Sequence, residues 1–139
     1  MRIQTFALIF GIAFLVVGVA GFIPGLSTPL EHPGLTVEAA SGHLFGLFPV
    51  NALHNLVHIA FGVWGLVAAR NLAASRLYGR VVAVAYGALT VLGLIPLANT
   101  VFGLVPIYGH DIWLHALLAA VAAYFGFLHR EGEAHVARA

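Results

Sequence analysis

Cysteine and lysine are both missing from this chain of 139 residues. Without cysteine there are no disulfides, no thiolate nucleophile and no iron–sulfur ligands. Without lysine there is no amine for Schiff-base chemistry. Charged residues make up only 8% of the sequence, against about 25% in soluble domains, and the formal net charge is +1. A chain with so little positive charge has no basic patch for a nucleic acid.

Apolar residues take the place of the missing charges. They make up 61% of the chain, and the mean hydropathy is +0.99. Four apolar runs are long enough to cross about 30 Å of hydrocarbon as helices, and they cover about residues 3–23, 50–69, 78–98 and 112–128. We therefore predict a single domain over residues 1–139, an all-α membrane protein folded as a four-transmembrane-helix bundle in the lipid bilayer.

The six arginines all fall at one end of the predicted bundle. The connections at residues 24–49 and 99–110 contain none of them. Because positively charged loops stay on the cytoplasmic side, we predict that both termini are cytoplasmic and that these two connections face outward. The arginines that set this orientation are Arg2, Arg70, Arg76, Arg80, Arg130 and Arg138.

Aromatic residues with a polar atom lie mostly near the ends of the predicted spans. Such rings favour the boundary between membrane and water. We therefore expect interfacial anchoring by Trp64, Tyr78, Tyr86, Tyr108, Trp113 and Tyr124.

Two segments of the chain, placed 57 residues apart, match each other. Residues 45–58 and residues 102–115 both begin Phe-Gly-Leu, have proline at the fifth position and end in histidine. A second match places Gly-Phe-Ile-Pro at residues 21–24 and Gly-Leu-Ile-Pro at residues 93–96. Each unit is then a helix, an outer loop and a helix. We predict two parallel two-helix repeats, related by an axis along the membrane normal.

Each matching segment carries a polar pair four positions apart. His54 and His58 share one face of the second helix, and Asp111 and His115 share one face at the start of the fourth. Ionisable residues within a span are costly, and they usually face a partner inside the bundle. We therefore predict one cluster of these four side chains just below the outward surface.

Several interpretations of this cluster stay open. All four side chains could ligate a transition metal such as zinc, iron, manganese or copper, with the amides of Asn51 and Asn55 supporting the imidazoles. His58 and His115 could instead be the axial ligands of haem b. The cluster could also be a structural hydrogen-bond network, or a proton or redox relay without a metal. Finally, Asp111 could cap the fourth helix.

The expected function follows from these interpretations. We expect a membrane protein that binds a metal ion or a haem-type cofactor at an outward-side His/Asp cluster, with redox or electron transfer as a possible role. The alternative is a non-catalytic accessory subunit of a larger membrane complex, or a homo-oligomer, packed through the small-residue faces at 60–68 and 116–123. No nucleophile–base order in the sequence assigns an enzymatic reaction.

The motifs around the two polar pairs resemble an uncharacterised family of small bacterial four-span membrane proteins, a domain of unknown function. The resemblance rests on residues 46–58, which carry asparagine at 51 and 55 and histidine at 54 and 58, and on Gly62 and residues 111–115. It covers about Ile3 to Phe127. Such families often have asparagine where this chain has Ile112. The resemblance implies four spans in a bacterial cytoplasmic membrane and a shared His/Asp cluster, with no established activity.

Overall fold

The computed structural model describes residues 1–29 and 34–130. This part of the chain is mostly helical, with α1 at Ile3–Ala20, α2 at Ala52–Ala68, α3 at Leu72–Leu94 and α4 at His110–Ala123. A π-helical turn at Tyr124–Leu128 continues α4. In the described residues, α1, α3 and α4 with its π turn are long and apolar enough to cross a membrane, whereas α2 is apolar but has only 17 residues. Arg138 lies outside the described residues.

The helix ends follow local signals and differ from the predicted runs. α3 begins six residues before the predicted run, because the side chain of Asn71 caps it by accepting a hydrogen bond of 3.1 Å from the amide of Ala74. α3 also ends four residues early. Ile95 has extended backbone angles, as is typical of a residue before a proline, here Pro96.

The all-α prediction misses a small antiparallel sheet between α1 and α2. Its strands are β1 at Ser27–Pro29, β2 at Gly42–Leu44 and β3 at Phe48–Val50, in the order β1-β2-β3. In the register, His43 pairs with both Thr28 and Pro49. Strands of three residues are too short for an alternating pattern to be recognised in sequence. β3 leads directly into the start of α2, so the sheet helps to fix where that helix begins.

Two helix pairs pack closely, α1 against α2 and α3 against α4. A Cβ atom added to Gly11 of α1 would lie 2.8 Å from the amide nitrogen of Leu66. A Cβ atom added to Gly126 in the π turn would lie 2.7 Å from the amide nitrogen of Arg80. The backbones approach this closely because no side chain stands between them, as is common in membrane bundles.

Aromatic rings fill the space among the four helices. Tyr78 and Tyr86 of α3 belong to this core, with 0% and 2% of their surfaces exposed, so the prediction that they anchor at the membrane boundary is wrong. At Tyr78 the reason is the early start of α3, since this residue was predicted to begin the run and instead lies within the helix. Tyr86 lies well inside the helix with either start, and it is buried because α3 packs that face against the core. The rings of Phe6, Phe14 and Phe125 pack in the same core.

The two matching segments fold with the same backbone turn. Phe45 and Gly46 have φ angles of 55° and 72°, and Phe102 and Gly103 have φ angles of 57° and 90°. A positive φ is uncommon for phenylalanine, so its occurrence at both places is informative. In each turn the glycine amide donates to the carbonyl three residues earlier, over 2.9 Å in the first segment and 3.1 Å in the second.

The second match in the sequence also has a common backbone pattern. The amide of Ile23 donates to the carbonyl of Ala20 over 3.0 Å, and the amide of Ile95 donates to the carbonyl of Leu92 over 3.1 Å. In both segments, the residue three positions further along then donates to that isoleucine's carbonyl. The connections after α1 and α3 therefore begin in the same way.

Candidate metal centre

A buried polar cluster lies between the first two turns of α2 and those of α4. His54 and His58 come from α2, and Asp111 and His115 come from α4. No more than 6% of the surface of any of them is exposed. The structure brings all four sequence-predicted residues to the wall of one cavity. Burying four ionisable side chains is costly unless each finds a bonding partner.

Three of the four side chains converge on one point. His54, Asp111 and His115 each offer one ligand atom, and these atoms all lie within 4.8 Å of one another. The Nδ1 atom of His54 is 3.8 Å from Oδ2 of Asp111, which is too long for a hydrogen bond. Within residues 1–29 and 34–130, these two atoms and Nδ1 of His115 are buried without a hydrogen-bond partner. Two imidazoles and one carboxylate in this arrangement can receive a cation.

His58 lies beside these three residues rather than among them. Its ring stacks on that of His54, with 4.6 Å between the centroids and 22° between the planes. Its Nδ1 atom lies 3.1 Å from the carbonyl oxygen of His54. A carbonyl can only accept, so Nδ1 is the donor, and in the neutral ring Nε2 carries the lone pair.

Asn51 supports the cluster through hydrogen bonds to backbone groups rather than to the imidazoles. Its Oδ1 atom accepts a hydrogen bond of 2.9 Å from the amide of His54 and so caps α2. Its Nδ2 atom donates to the carbonyls of Val37, over 2.9 Å, and Leu104, over 2.8 Å. This one buried side chain therefore joins both long connections to the helix that carries His54. The sequence predicted an amide near the imidazoles, but the two carbonyl partners could not be found from spacing.

Asn55, the second predicted supporting amide, contacts the end of α1. Its side chain occupies the space that a Cβ atom on Gly21 would fill. It is fully buried, and neither its oxygen nor its nitrogen has a hydrogen-bond partner among the described residues. Backbone carbonyls lie against the imidazole of His54 instead, from Pro49 and from Pro106, which hold matching places in the two segments.

At the start of α4, Asp111 is buried and His110 is exposed. Adjacent positions on a helix do not share a face. The N-cap residue is Gly109, which has no side chain, and Asp111 lies in the first turn. His110 is exposed and accepts a hydrogen bond of 3.0 Å from Nε1 of Trp113. Burial and the nearby Asp111 carboxylate raise the pKa of Tyr108, which precedes the helix, so its phenol stays protonated.

Aromatic rings from α1 and α3 pack against one side of the cluster. The sequence analysis did not predict these contacts. Tyr86 of α3 meets the ring of His115 edge-on, with 5.1 Å between centroids and 85° between planes. Phe14 of α1 lies 5.2 Å from Tyr86 and 5.6 Å from His58. These contacts restrict the positions of the imidazole rings, and they exclude water from that side.

A cavity of about 70 Å³ lies beside the cluster. This volume exceeds that of one water, about 30 Å³, and is half of the roughly 150 Å³ that has been found to admit benzene in a protein core. The four polar side chains form part of its wall. The remaining wall is apolar and consists of Val17, Leu44, Phe45, Phe48, Val50 and Leu114.

The described residues include helices that are suited to crossing a membrane, which is consistent with a membrane protein. They also include a buried His/Asp cluster. The chain belongs to the family described as a domain of unknown function (DUF4383), whose model matches residues 4–128. This match confirms the resemblance to an uncharacterised family. No curated protein and no solved structure matches the chain.

Proposed function

We propose that this protein is an integral membrane protein that binds one transition-metal ion through His54, Asp111 and His115. The observation that carries the proposal is the convergence of three buried ligand atoms within 4.8 Å of one another. Two imidazoles and one carboxylate suit zinc, iron, manganese or copper. A bound cation supplies the partner that Nδ1 of His54, Oδ2 of Asp111 and Nδ1 of His115 lack among the described residues.

A purely structural hydrogen-bond network has less support from the same atoms. In such a network, donors and acceptors stand about 2.7–3.2 Å apart. The His54–Asp111 pair is separated by 3.8 Å, and Nδ1 of His115 has no partner in the described part of the chain. A metal–ligand set explains both features, because ligands face the ion rather than one another.

A haem-type cofactor held by His58 and His115 also has less support than a metal ion. The cavity of about 70 Å³ is much smaller than a porphyrin. His54 stacks on the ring of His58, and Tyr86 lies edge-on to the ring of His115. Both neighbours would have to move before a macrocycle could enter.

The proposed architecture is two parallel two-helix repeats, α1 with α2 and α3 with α4. The common turns at Phe45-Gly46 and Phe102-Gly103 support it, as does the close packing within each helix pair. In this arrangement His54 and Asp111 hold equivalent places in the two copies. The metal ion then lies where the copies meet, as sites in membrane repeat proteins often do.

The proposed topology counts α2 as the fourth span. At 1.5 Å per residue, its 17 residues cover roughly 25 Å, somewhat less than a hydrocarbon core of about 30 Å. Arg70 follows the end of α2, whereas the cluster lies at its start. The positive-inside rule then places the termini in the cytoplasm and the metal ion near the outward surface of the cytoplasmic membrane.

Metal analysis of the detergent-purified protein, with its absorption spectrum, tests the proposed function. We expect one equivalent of metal per chain, lost in His115→Ala and retained in His110→Ala, since His110 is an exposed histidine on the same helix. An intense Soret band would identify haem instead. A folded wild type without metal or colour would contradict the proposed metal site.

A further inference from the structure

We infer that the metal ion keeps an open coordination position that admits only a small external ligand, and that Phe45 sets the size limit. This inference rests on the proposed metal site. Three protein ligands leave at least one position free, because zinc and iron sites in proteins have four or more ligands. Catalytic zinc sites and iron sites with two histidines and one carboxylate share this incomplete set.

The position of the cavity supports an open coordination position on the metal ion. His54, Asp111 and His115, the three proposed ligands, all line the same space of about 70 Å³. A ligand on the ion would project into this space rather than into packed side chains. Since benzene occupies cavities of about 150 Å³, the volume here admits a molecule of only a few heavy atoms, such as water, a diatomic molecule or azide.

Phe45 borders both this cavity and a groove on the outside of the bundle. Its side chain lines the cavity, and it also lines an apolar groove of about 490 Å³ formed mainly by the end of α1. The side chain is 58% exposed, so it is not part of the packed core. We expect its shortening to alanine to join the two spaces and to give larger ligands a path to the ion.

The repeat supplies a matched control for Phe45. Phe102 holds the equivalent place in the second segment, has the same positive φ and is 79% exposed. It is not among the residues that line the cavity. Phe45→Ala and Phe102→Ala therefore remove the same ring from the same kind of turn, but only the first change opens the site.

Cobalt(II) provides the test, because its visible spectrum reports changes in coordination. The cobalt-loaded full chain in detergent is titrated with azide and with imidazole, and its cobalt content is measured again afterwards. We expect azide to change the spectra of the wild type and both variants in a saturable way. We expect imidazole to bind Phe45→Ala at least about tenfold more tightly than the wild type, with Phe102→Ala equal to the wild type.

The outcomes separate this inference from the proposed metal site. A wild type that takes up no cobalt removes the metal site, and the inference fails with it. A wild type that binds cobalt but does not respond to azide retains the metal site and overturns the open position. Imidazole binding of equal strength in the wild type and Phe45→Ala overturns the size limit set by Phe45.

Discussion

His54 on α2 and Asp111 on α4 face each other, with Nδ1 of the histidine 3.8 Å from Oδ2 of the aspartate. The two residues hold the same place in two matching segments of the sequence. Under the proposed duplication, one copy contributes an imidazole where the other contributes a carboxylate. Divergence at this single position would convert a symmetric pair of histidines into a mixed ligand set.

Metal removal is expected to destabilise the wild type and to leave His115→Ala unaffected. An ion that binds only the folded state at 100 times its Kd contributes about 2.7 kcal/mol to stability. A chelator should therefore lower the free energy of unfolding of the wild type by about that amount. Thermal unfolding in detergent, with and without the chelator, measures the difference. Equal losses in both proteins would show that the chelator acts elsewhere.

Asn51→Ala is expected to be more damaging than Asn71→Ala, although both residues cap helices. Loss of a cap alone costs about 1 kcal/mol, and this is the expected cost at Asn71, whose side chain accepts only from the amide of Ala74 among the described residues. Asn51 also holds the carbonyls of Val37 and Leu104, so its loss should cost about 3 kcal/mol. Denaturant titration of both variants measures these costs, and equal values would contradict the joining role of Asn51.

Gly11→Ala is expected to weaken the packing of α1 on α2. The added Cβ would lie 2.8–3.0 Å from backbone atoms of Leu66, Gly62 and Gly65, none of which can rotate away. Overpacking of this kind costs about 2 kcal/mol. Gly87→Ala is the control, since nothing lies within 4 Å of its added Cβ and alanine favours the helix by up to about 1 kcal/mol. The prediction fails if unfolding of the two variants responds alike.

The proposed topology can be tested with single cysteines, because the natural chain has none. Glu38 is exposed in the connection before α2, and Ala73 is exposed at the start of α3. In intact cells, a membrane-impermeant maleimide should label Glu38→Cys, and should label Ala73→Cys only after the membrane is permeabilised. The reverse pattern would place the metal site on the cytoplasmic side.

The helical part of the fold could be predicted from hydropathy, because a long apolar run in lipid has helix as its main solution. The small sheet could not, since strands of three residues carry no period. The early start of α3 depended on Asn71, and missing this cap led to the wrong expectation for Tyr78.

The grouping of the four polar residues could be predicted from two i, i+4 pairs in matching segments. The convergence of three of them could not be predicted. His54 and His58 are one helical turn apart on the same face, and the rotation and crossing of α2 and α4 decide which of them meets Asp111. Those angles depend on close backbone contacts such as that at Gly11, which no spacing rule describes.

X-ray absorption at the edge of the bound metal is the most direct test of the central claim. For zinc, two imidazole nitrogens are expected at about 2.0–2.1 Å with a carboxylate oxygen at a similar distance. The imidazole count should stay at two in His58→Ala and fall to one in His54→Ala. A wild-type spectrum without imidazole scattering, or a count that falls when His58 is removed, would contradict the ligand set of His54, Asp111 and His115.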